Sequence, residues 1–224
     1  MIDWLAPLND TAFTLGDDSV SWAESLGFVT GGLCVALVVR RNILNFPIGI
    51  ANNIFFLVLF ASASLWAASG LQVLYLALGF AGWWQWLRGR ADDGELVVRR
   101  TGRTELALCA AFLAVGTSVL SVILTAADDS APFLDAVTTC LALVAQWLLN
   151  TRRIENWYFW IVADCIYIPL YLSKGLILTA LIYVLFLALC VAGLRSWRRA
   201  LGAAAGVAVG SAGIWVARLV SGRL

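Results

Sequence analysis

The feature that most constrains this chain is its succession of long apolar runs. These runs of about 17 to 22 residues lie between clusters of charge, and a helix of that length crosses a hydrocarbon core of about 30 Å. Only 13% of the 224 residues are charged, whereas a soluble domain of this size carries about 25%. We therefore interpret the chain as an all-α, polytopic membrane protein in contact with a lipid bilayer.

The apolar runs predict seven membrane helices and a possible eighth. A C-terminal stretch over 200–219 is rich in Ala and Gly, with glycines close to the GxxxG spacing that permits tight helix contact in lipid. The pattern leaves open whether this stretch spans the membrane or lies on its surface. The seven predicted spans are 22–39, 46–63, 69–87, 104–126, 132–149, 157–173 and 176–195.

Basic residues predict how the helices are oriented, because Lys and Arg are retained on the cytoplasmic side. Arginines follow the first, third, fifth and seventh spans, whereas the alternate loops carry Lys174 and three aspartates. Residues 1–21 lack a basic residue and therefore lack the positive region of a secretory signal. We expect a bacterial inner-membrane protein whose seven-helix core is N-out and C-in. The arginines are Arg40, Arg41, Arg88, Arg90, Arg99, Arg100, Arg103, Arg152, Arg153, Arg195, Arg198 and Arg199.

The chain also contains an internal repeat. A shift of 111 residues matches 41–90 with 152–201 at 16 of 50 positions, without gaps. Both halves begin outside, so the pattern predicts a 3+1+3 architecture of two parallel three-helix repeats, as in SWEET transporters. The predicted units are an extracytoplasmic segment 1–21, repeat 1 over 22–87, a cytoplasmic loop and linker helix over 88–131, repeat 2 over 132–199 and an apolar extension over 200–224.

Span 6 carries an ionisable group among aromatic residues. Trp157, Trp160, Asp164, Tyr167 and Tyr171 fall within an arc of about 80° at helical spacing. An acid at membrane depth faces protein or a cavity rather than lipid. The stripe therefore predicts one wall of a binding site.

The repeat extends this site to span 2. It pairs Asn53 with Asp164, places Asn52 beside that pair, and pairs Asn45 with Asn156. Short helices at equivalent places, each with a proline and a polar residue near the midplane, point to the site in such transporters. Gln72 in span 3 and Gln146 in span 5 are further polar groups at membrane depth. The candidate substrate-binding residues are Trp157, Trp160, Asp164, Asn53, Asn52, Gln72, Tyr167, Asn156 and Asn45.

Several of these residues also have simpler interpretations. Trp83, Trp84, Trp86 and Trp197 are typical of an aromatic belt at the membrane interface, and Tyr171 fits the opposite belt. Belts of this kind need no substrate.

The same holds within span 6 and before it. Trp157 could join the belt, Glu155 could pair with Arg152 or Arg153, and Asp164 could bond a neighbouring helix. Asparagines at positions 52 and 53 could likewise hold helices together.

The residue inventory excludes much chemistry. Histidine is absent, and the five cysteines have no metal-like spacing. A Walker lysine, a GxSxG motif and a pair of membrane aspartates are also missing. We expect neither an enzyme nor a cofactor, metal or nucleic-acid partner. Aromatic rings, amides and one carboxylate suit a heteroaromatic vitamin or nucleoside.

With these residues in view, the chain resembles the PnuC family of vitamin transporters over about residues 22–199. The resemblance lies in the stretches NFPIGIANNIFFLVLF (45–60), LQVLY (71–75), GWWQWLRG (82–89) and ENWYFWIVADCIYIPLYLSKGLILTALIY (155–183). It implies a homotrimer with one pathway per protomer. It also implies facilitated diffusion without ATP or a coupling ion, with a cytosolic kinase trapping the vitamin.

The WxxW sequence from Trp157 to Trp160 resembles that of the family's nicotinamide riboside carriers. The resemblance implies nicotinamide riboside uptake for NAD biosynthesis, with the two tryptophans stacked on the pyridinium. Asp164 departs from relatives that carry Asn. Alternatives are a thiamine or riboflavin carrier, or a proton-coupled symporter that uses Asp164.

Overall fold

The computed structural model describes residues 10–15, 18–62, 66–89, 96–128, 131–173 and 177–220. Within these residues the chain forms a β-hairpin followed by seven α-helices. Arg90 and Lys174, used above for orientation, lie outside the described residues. The elements are β1 (Thr11–Leu15), β2 (Asp18–Ser21), α1 (Trp22–Val39), α2 (Asn45–Ser62), α3 (Trp66–Arg88), α4 (Arg103–Ala126), α5 (Pro132–Asn150), α6 (Asn156–Ser173) and α7 (Ile177–Val220).

The hairpin was not predicted from the sequence. Strands β1 and β2 pair antiparallel, and β2 runs directly into α1. The amide of Trp22 at the start of α1 donates to the carbonyl of Asp10 at 3.1 Å. This hydrogen bond joins the start of the hairpin to the start of α1.

Each of the seven predicted spans corresponds to a helix. Helices α4 and α5, and residues 179–203 of α7, are long and apolar enough to cross a membrane. Residues 25–39 and 45–58 are shorter apolar helices. The apolar runs located the helices well because charged residues lie in most of the connections between them.

The C-terminal stretch is not a separate eighth helix. Helix α7 continues from Ile177 to Val220 without a break, because no proline interrupts an Ala-rich sequence that favours helix. Its 44 residues give a length of about 66 Å. Such a helix is about twice as long as the hydrocarbon core is thick.

The helices pack as two groups. Helix α2 contacts α1 and α3, helix α6 contacts α5 and α7, and α4 packs against α5. The two groups meet where α1 contacts α7 and where α3 contacts α5. Helix α4 leaves most of its apolar surface exposed, including Val115 and Val122.

Two tryptophan indoles donate hydrogen bonds that help to link the groups at one end of the bundle. The indole Nε1 of Trp86 in α3 donates to the carbonyl of Leu149 in α5 at 3.0 Å. The Nε1 of Trp197 in α7 donates to the carbonyl of Val38 in α1 at 3.1 Å. Donors and acceptors of the two bonds are each 111 residues apart. We call this end, where the described arginine clusters lie, the basic end.

Ring packing at the basic end repeats with the same shift. Phe46 meets Trp86 edge-on, with ring centroids 5.0 Å apart and planes at 85°. Trp157 meets Trp197 in the same way, at 5.6 Å and 88°. We call the buried residues around these rings the basic-end cluster: Val38, Phe46, Trp86, Leu96, Val98, Leu149, Ile154, Trp157, Cys190, Leu194 and Trp197.

The belt interpretation is therefore wrong for three tryptophans. Trp86, Trp157 and Trp197 are at most 1% exposed, because their rings fill the junction between the two helix groups. Trp84 is 56% exposed and carries the Arg88 guanidinium 3.8 Å from its ring centroid. That arrangement fits an interface position.

The linker before α4 forms backbone hydrogen bonds with the turn between α5 and α6. The amide of Arg99 donates to the carbonyl of Arg152 at 2.9 Å, and the amide of Ile154 donates back to the carbonyl of Arg99 at 3.0 Å. Leu96 and Val98 insert into the basic-end cluster. Burial, with neighbouring arginines adding to it, lowers the pKa of Arg152.

The expected ion pair of Glu155 with Arg152 or Arg153 is wrong. The Glu155 carboxylate instead accepts hydrogen bonds from the amide and hydroxyl of Thr101, at 2.8 and 2.6 Å. Arg153 pairs with Glu105 of α4 at 2.8 Å. The docked linker supplies Thr101 and the first turn of α4 supplies Glu105, both far from Glu155 and Arg153 in the sequence.

Candidate functional site

A cavity of about 400 Å³ lies between the two helix groups. Its volume falls in the range of small-ligand sites. The lining residues are Gly31, Cys34, Val35, Val38, Asn45, Phe46, Gly49, Ile50, Asn52, Asn53, Phe56, Gln72, Tyr75, Gly79, Ala142, Gln146, Leu149, Trp157, Trp160, Asp164, Tyr167, Tyr183, Phe186 and Cys190.

The cavity wall is nearly symmetric in sequence. Ten pairs of lining residues are related by the 111-residue shift, and these account for 20 of the 24 residues. Asn53 faces the cavity opposite Asp164, Phe56 pairs with Tyr167, and Gly49 pairs with Trp160. Equivalent helix faces from the two groups therefore enclose one space.

Eight of the nine predicted substrate-binding residues line this cavity, and Asn156 does not. Asn156 is fully buried, and its side chain donates to the carbonyl of Arg153. Its repeat partner Asn45 makes the matching bond to the carbonyl of Asn42 at 2.7 Å. Both side chains hold the turn that precedes a helix, although Asn45 also reaches the cavity.

Asp164 lines this space with a buried carboxyl group. The residue is 4% exposed, and its buried Oδ2 has no hydrogen-bond partner among the described residues. The Cys190 thiol of α7 is a hydrogen-bond partner of the carboxyl group. A buried acceptor of this kind is costly unless a ligand or water pairs with it.

The two tryptophans of the WxxW sequence have different surroundings. Trp160 is half-buried and lines the cavity. Trp157 is nearly inaccessible, with its ring edge against Trp197 and its six-membered ring where a Cβ on Gly193 would lie. The indole Nε1 of Trp157 has no hydrogen-bond partner in the part of the chain that the structure describes. Trp160 therefore offers more surface for stacking than Trp157 does.

The neighbouring asparagines also differ. Asn52 donates to the hydroxyl of Thr30 at 2.5 Å and to the carbonyl of Gly27 at 3.2 Å. These bonds join α2 to α1, as the helix-contact interpretation of Asn52 expected. Asn53 lies about 100° further round the helix and lines the cavity as the partner of Asp164.

The candidate list lacked sixteen of the 24 cavity-lining residues, among them Gln146, Tyr183, Phe186 and Cys190. The repeat contained the signal, because the last three are the 111-residue partners of Gln72, Tyr75 and Gly79. Gln146 donates to Asn150 at 3.0 Å, and Asn150 donates to the carbonyl of Leu78 at 2.7 Å. This chain fixes the Gln146 amide at the wall.

Tyrosines close the side of the cavity away from the basic end. Tyr167 and Tyr183 have ring centroids 4.7 Å apart, and Tyr171 lies 5.1 Å from Tyr183. Phe186 meets Tyr183 edge-on at 5.8 Å. Tyr171 packs in this cluster rather than standing alone at the interface.

A cavity with aromatic, amide and carboxylate groups, set between apolar helices, is typical of a membrane transport protein. The nicotinamide mononucleotide transporter family matches residues 21–199. The chain belongs to that family, the PnuC family of vitamin transporters.

Individual relatives differ in the vitamin that they carry. The riboflavin/roseoflavin transporter RibM of Streptomyces davaonensis is 30% identical, over 85% of this chain and 91% of its own. The nicotinamide riboside transporter PnuC of Escherichia coli is 26% identical, over 81% and 87%. The crystal structure of a vitamin B3 transporter PnuC matches with a TM-score of 0.65 and 28% identity, over 81% and 82%.

Proposed function

We propose that this chain carries nicotinamide riboside into the cell by facilitated diffusion. The observation that most directly supports this proposal is the cavity between the two helix groups, whose lining includes both the half-buried Trp160 and the buried Asp164. A pyridinium ring is flat and cationic, so it suits stacking on an indole beside a carboxylate. Ribose hydroxyls and the carboxamide suit Asn53, Gln72 and Gln146.

We further propose the 3+1+3 architecture, with α1–α3 and α5–α7 as parallel repeats and α4 as the linker. Three observations support it: the tryptophan hydrogen bonds, the ring pairs and the cavity wall all repeat with the 111-residue shift. An axis along the membrane normal, passing through the cavity, relates such repeats.

In the proposed topology the basic end faces the cytoplasm of a bacterium, as arginine retention requires, and β1–β2 lies outside. The resemblance suggests a homotrimer with one pathway per protomer. A cytosolic kinase that phosphorylates the vitamin would maintain net uptake for NAD biosynthesis.

The first test is titration calorimetry of the purified protein with nicotinamide riboside, thiamine and riboflavin in parallel. We expect saturable heat with nicotinamide riboside, and loss of that heat in Trp160→Ala. Loss of an aromatic stacking face and its buried area should weaken binding by about 100-fold or more. Trp147→Ala is the matched control, because Trp147 is 48% exposed and does not line the cavity.

Full affinity in Trp160→Ala would exclude the stacking role. A riboflavin carrier is the second candidate, since the RibM relative is 30% identical over most of both chains. Heat with riboflavin alone would select it, and heat with thiamine alone would select the thiamine carrier. A proton-coupled symporter would instead lose uptake into sealed vesicles when an uncoupler is added.

A further inference from the structure

The cavity has a floor at the basic end. Val38, Phe46, Leu149, Trp157 and Cys190 belong both to the cavity wall and to the basic-end cluster. Their far side packs on the linker residues and on the two tryptophans that cross between the helix groups. A solute leaving the cavity toward the basic end must therefore part this cluster.

The two crossing bonds occupy the ends of helices. Val38 and Leu149 lie in the last turns of α1 and α5, where helix carbonyls lack partners within the helix. Each of these carbonyls accepts the backbone amide of an arginine in the following turn, Arg41 or Arg152, at 2.9 Å. Each also accepts the indole of a tryptophan from the other helix group. The tryptophans thus cap helices to which they do not belong.

Both arginines have positive φ, 57° and 62°. The turn after each acceptor therefore contains an arginine in the left-handed conformation at the same position. The donors are buried, and their bonds span the boundary between the groups that enclose the cavity. If the groups separate at this end, both bonds must break. Trp86 and Trp197 therefore form two equivalent hydrogen bonds between the groups, one on either side of the cavity floor.

We propose that Trp86 and Trp197 hold the cavity closed toward the cytoplasm, and that release of both indole bonds opens the exit for the carried solute. This inference rests on the proposed transport function. Neither tryptophan is a candidate binding residue, and both act on the passage of the solute rather than on its recognition. Ser196 reinforces one of them, because its hydroxyl donates to the carbonyl of Val39 at 3.0 Å.

The test measures access to the cavity from each side of the membrane. Cys34 and Cys190 line the cavity and serve as reporters, in a full-length protein whose other cysteines are replaced by Ala. Inside-out and right-side-out vesicles are treated with a charged, membrane-impermeant methanethiosulfonate. In inside-out vesicles, Trp86→Phe and Trp197→Phe should each raise the labelling rate about fivefold, the shift in a two-state equilibrium on loss of one hydrogen bond.

Phe keeps an aromatic ring and removes the donor. The double variant should exceed either single variant, and Ser196→Ala should give a smaller rise in the same direction. Trp84→Phe is the matched control, since Trp84 is exposed and lies in the same part of α3. Its labelling rate should equal that of the parent.

A second cysteine reporter distinguishes opening of the cavity from general loosening of the protein. Cys140 is 2% exposed and does not line the cavity, so a protein that retains only Cys140 should stay unlabelled in every variant. Unchanged labelling in both tryptophan variants, a rise only in right-side-out vesicles, or equal labelling of Cys140 would each overturn the proposal. The assay needs no vitamin, so it can succeed or fail independently of the calorimetry.

Discussion

Asp164 is the residue on which the chemistry of the cavity most depends. Its carboxyl group is buried beside Cys190, and its Oδ2 has no hydrogen-bond partner among the described residues. Its repeat partner Asn53 lies at the matching place in the other helix group but has no charge. Both a structural bond and a binding role were open in the sequence. The contact with Cys190 supplies a structural bond, and the binding role stays a prediction.

We expect Asp164→Asn to weaken nicotinamide riboside binding about tenfold, or about 1.4 kcal/mol, because an amide keeps hydrogen bonding but loses attraction for the pyridinium charge. Calorimetry on the purified variant measures this. Asp128→Asn, an exposed position beyond α4, is the control. Equal affinity of the Asp164 variant and the parent would show that the carboxylate does not act through its charge.

At the scale of elements, close helix contact depends on two glycines that the repeat relates. A Cβ on Gly82 would lie 2.2 Å from the Asn150 amide oxygen, and a Cβ on Gly193 would lie 2.4 Å from the Trp157 ring. Neither neighbour can yield easily, since Asn150 and Trp157 are at most 1% exposed. These glycines allow α3 and α7 to approach the other helices that enclose the site.

Gly82→Ala and Gly193→Ala should therefore each reduce stability by about 1–3 kcal/mol through overpacking. At Gly70, no atom of the described residues lies within 4 Å of an added Cβ. Gly70→Ala should therefore stabilise α3 by about 0.5–1 kcal/mol. Thermal unfolding of the detergent-solubilised variants checks both signs. A Gly82→Ala variant as stable as the Gly70→Ala variant would contradict the close packing.

At the scale of the whole molecule, ten pairs of cavity-lining residues are related by the 111-residue shift, but the chemistry of the paired side chains differs. Trp160 and Trp157 in one group correspond to Gly49 and Phe46 in the other. One wall therefore supplies both the indoles and the carboxylate. This difference indicates a single orientation of a bound solute.

Exchanging the pseudo-equivalent residues tests this asymmetry. The double variant Asn53→Asp/Asp164→Asn restores the number of carboxylates, yet it should bind nicotinamide riboside no better than Asp164→Asn, because the moved charge faces the wall without Trp160. Competition binding of the three proteins is the measurement. Recovery of affinity in the double variant would mean that net charge alone decides binding.

The sequence by itself determined the positions of the helices, the internal repeat and eight of the residues that line the cavity. Periodicity and charge mark where helices start and stop, and a helical face is fixed by spacing alone. That is why Asp164, Trp160 and Tyr167 could be placed on one stripe, and why the 111-residue shift carried the site to Asn53.

Only the tertiary structure decided which polar and aromatic groups were already engaged. In the structure, Trp86 and Trp197 are buried and donate to carbonyls of other helices, and Asn156 donates to the carbonyl of Arg153. The Glu155 carboxylate accepts from Thr101, and α7 continues through the stretch where an eighth helix was possible. These partners lie far apart in the chain or depend on a loop that docks only once the helices have packed. Local spacing carries no information about such pairs, because their energy comes from contacts that exist only in the folded bundle.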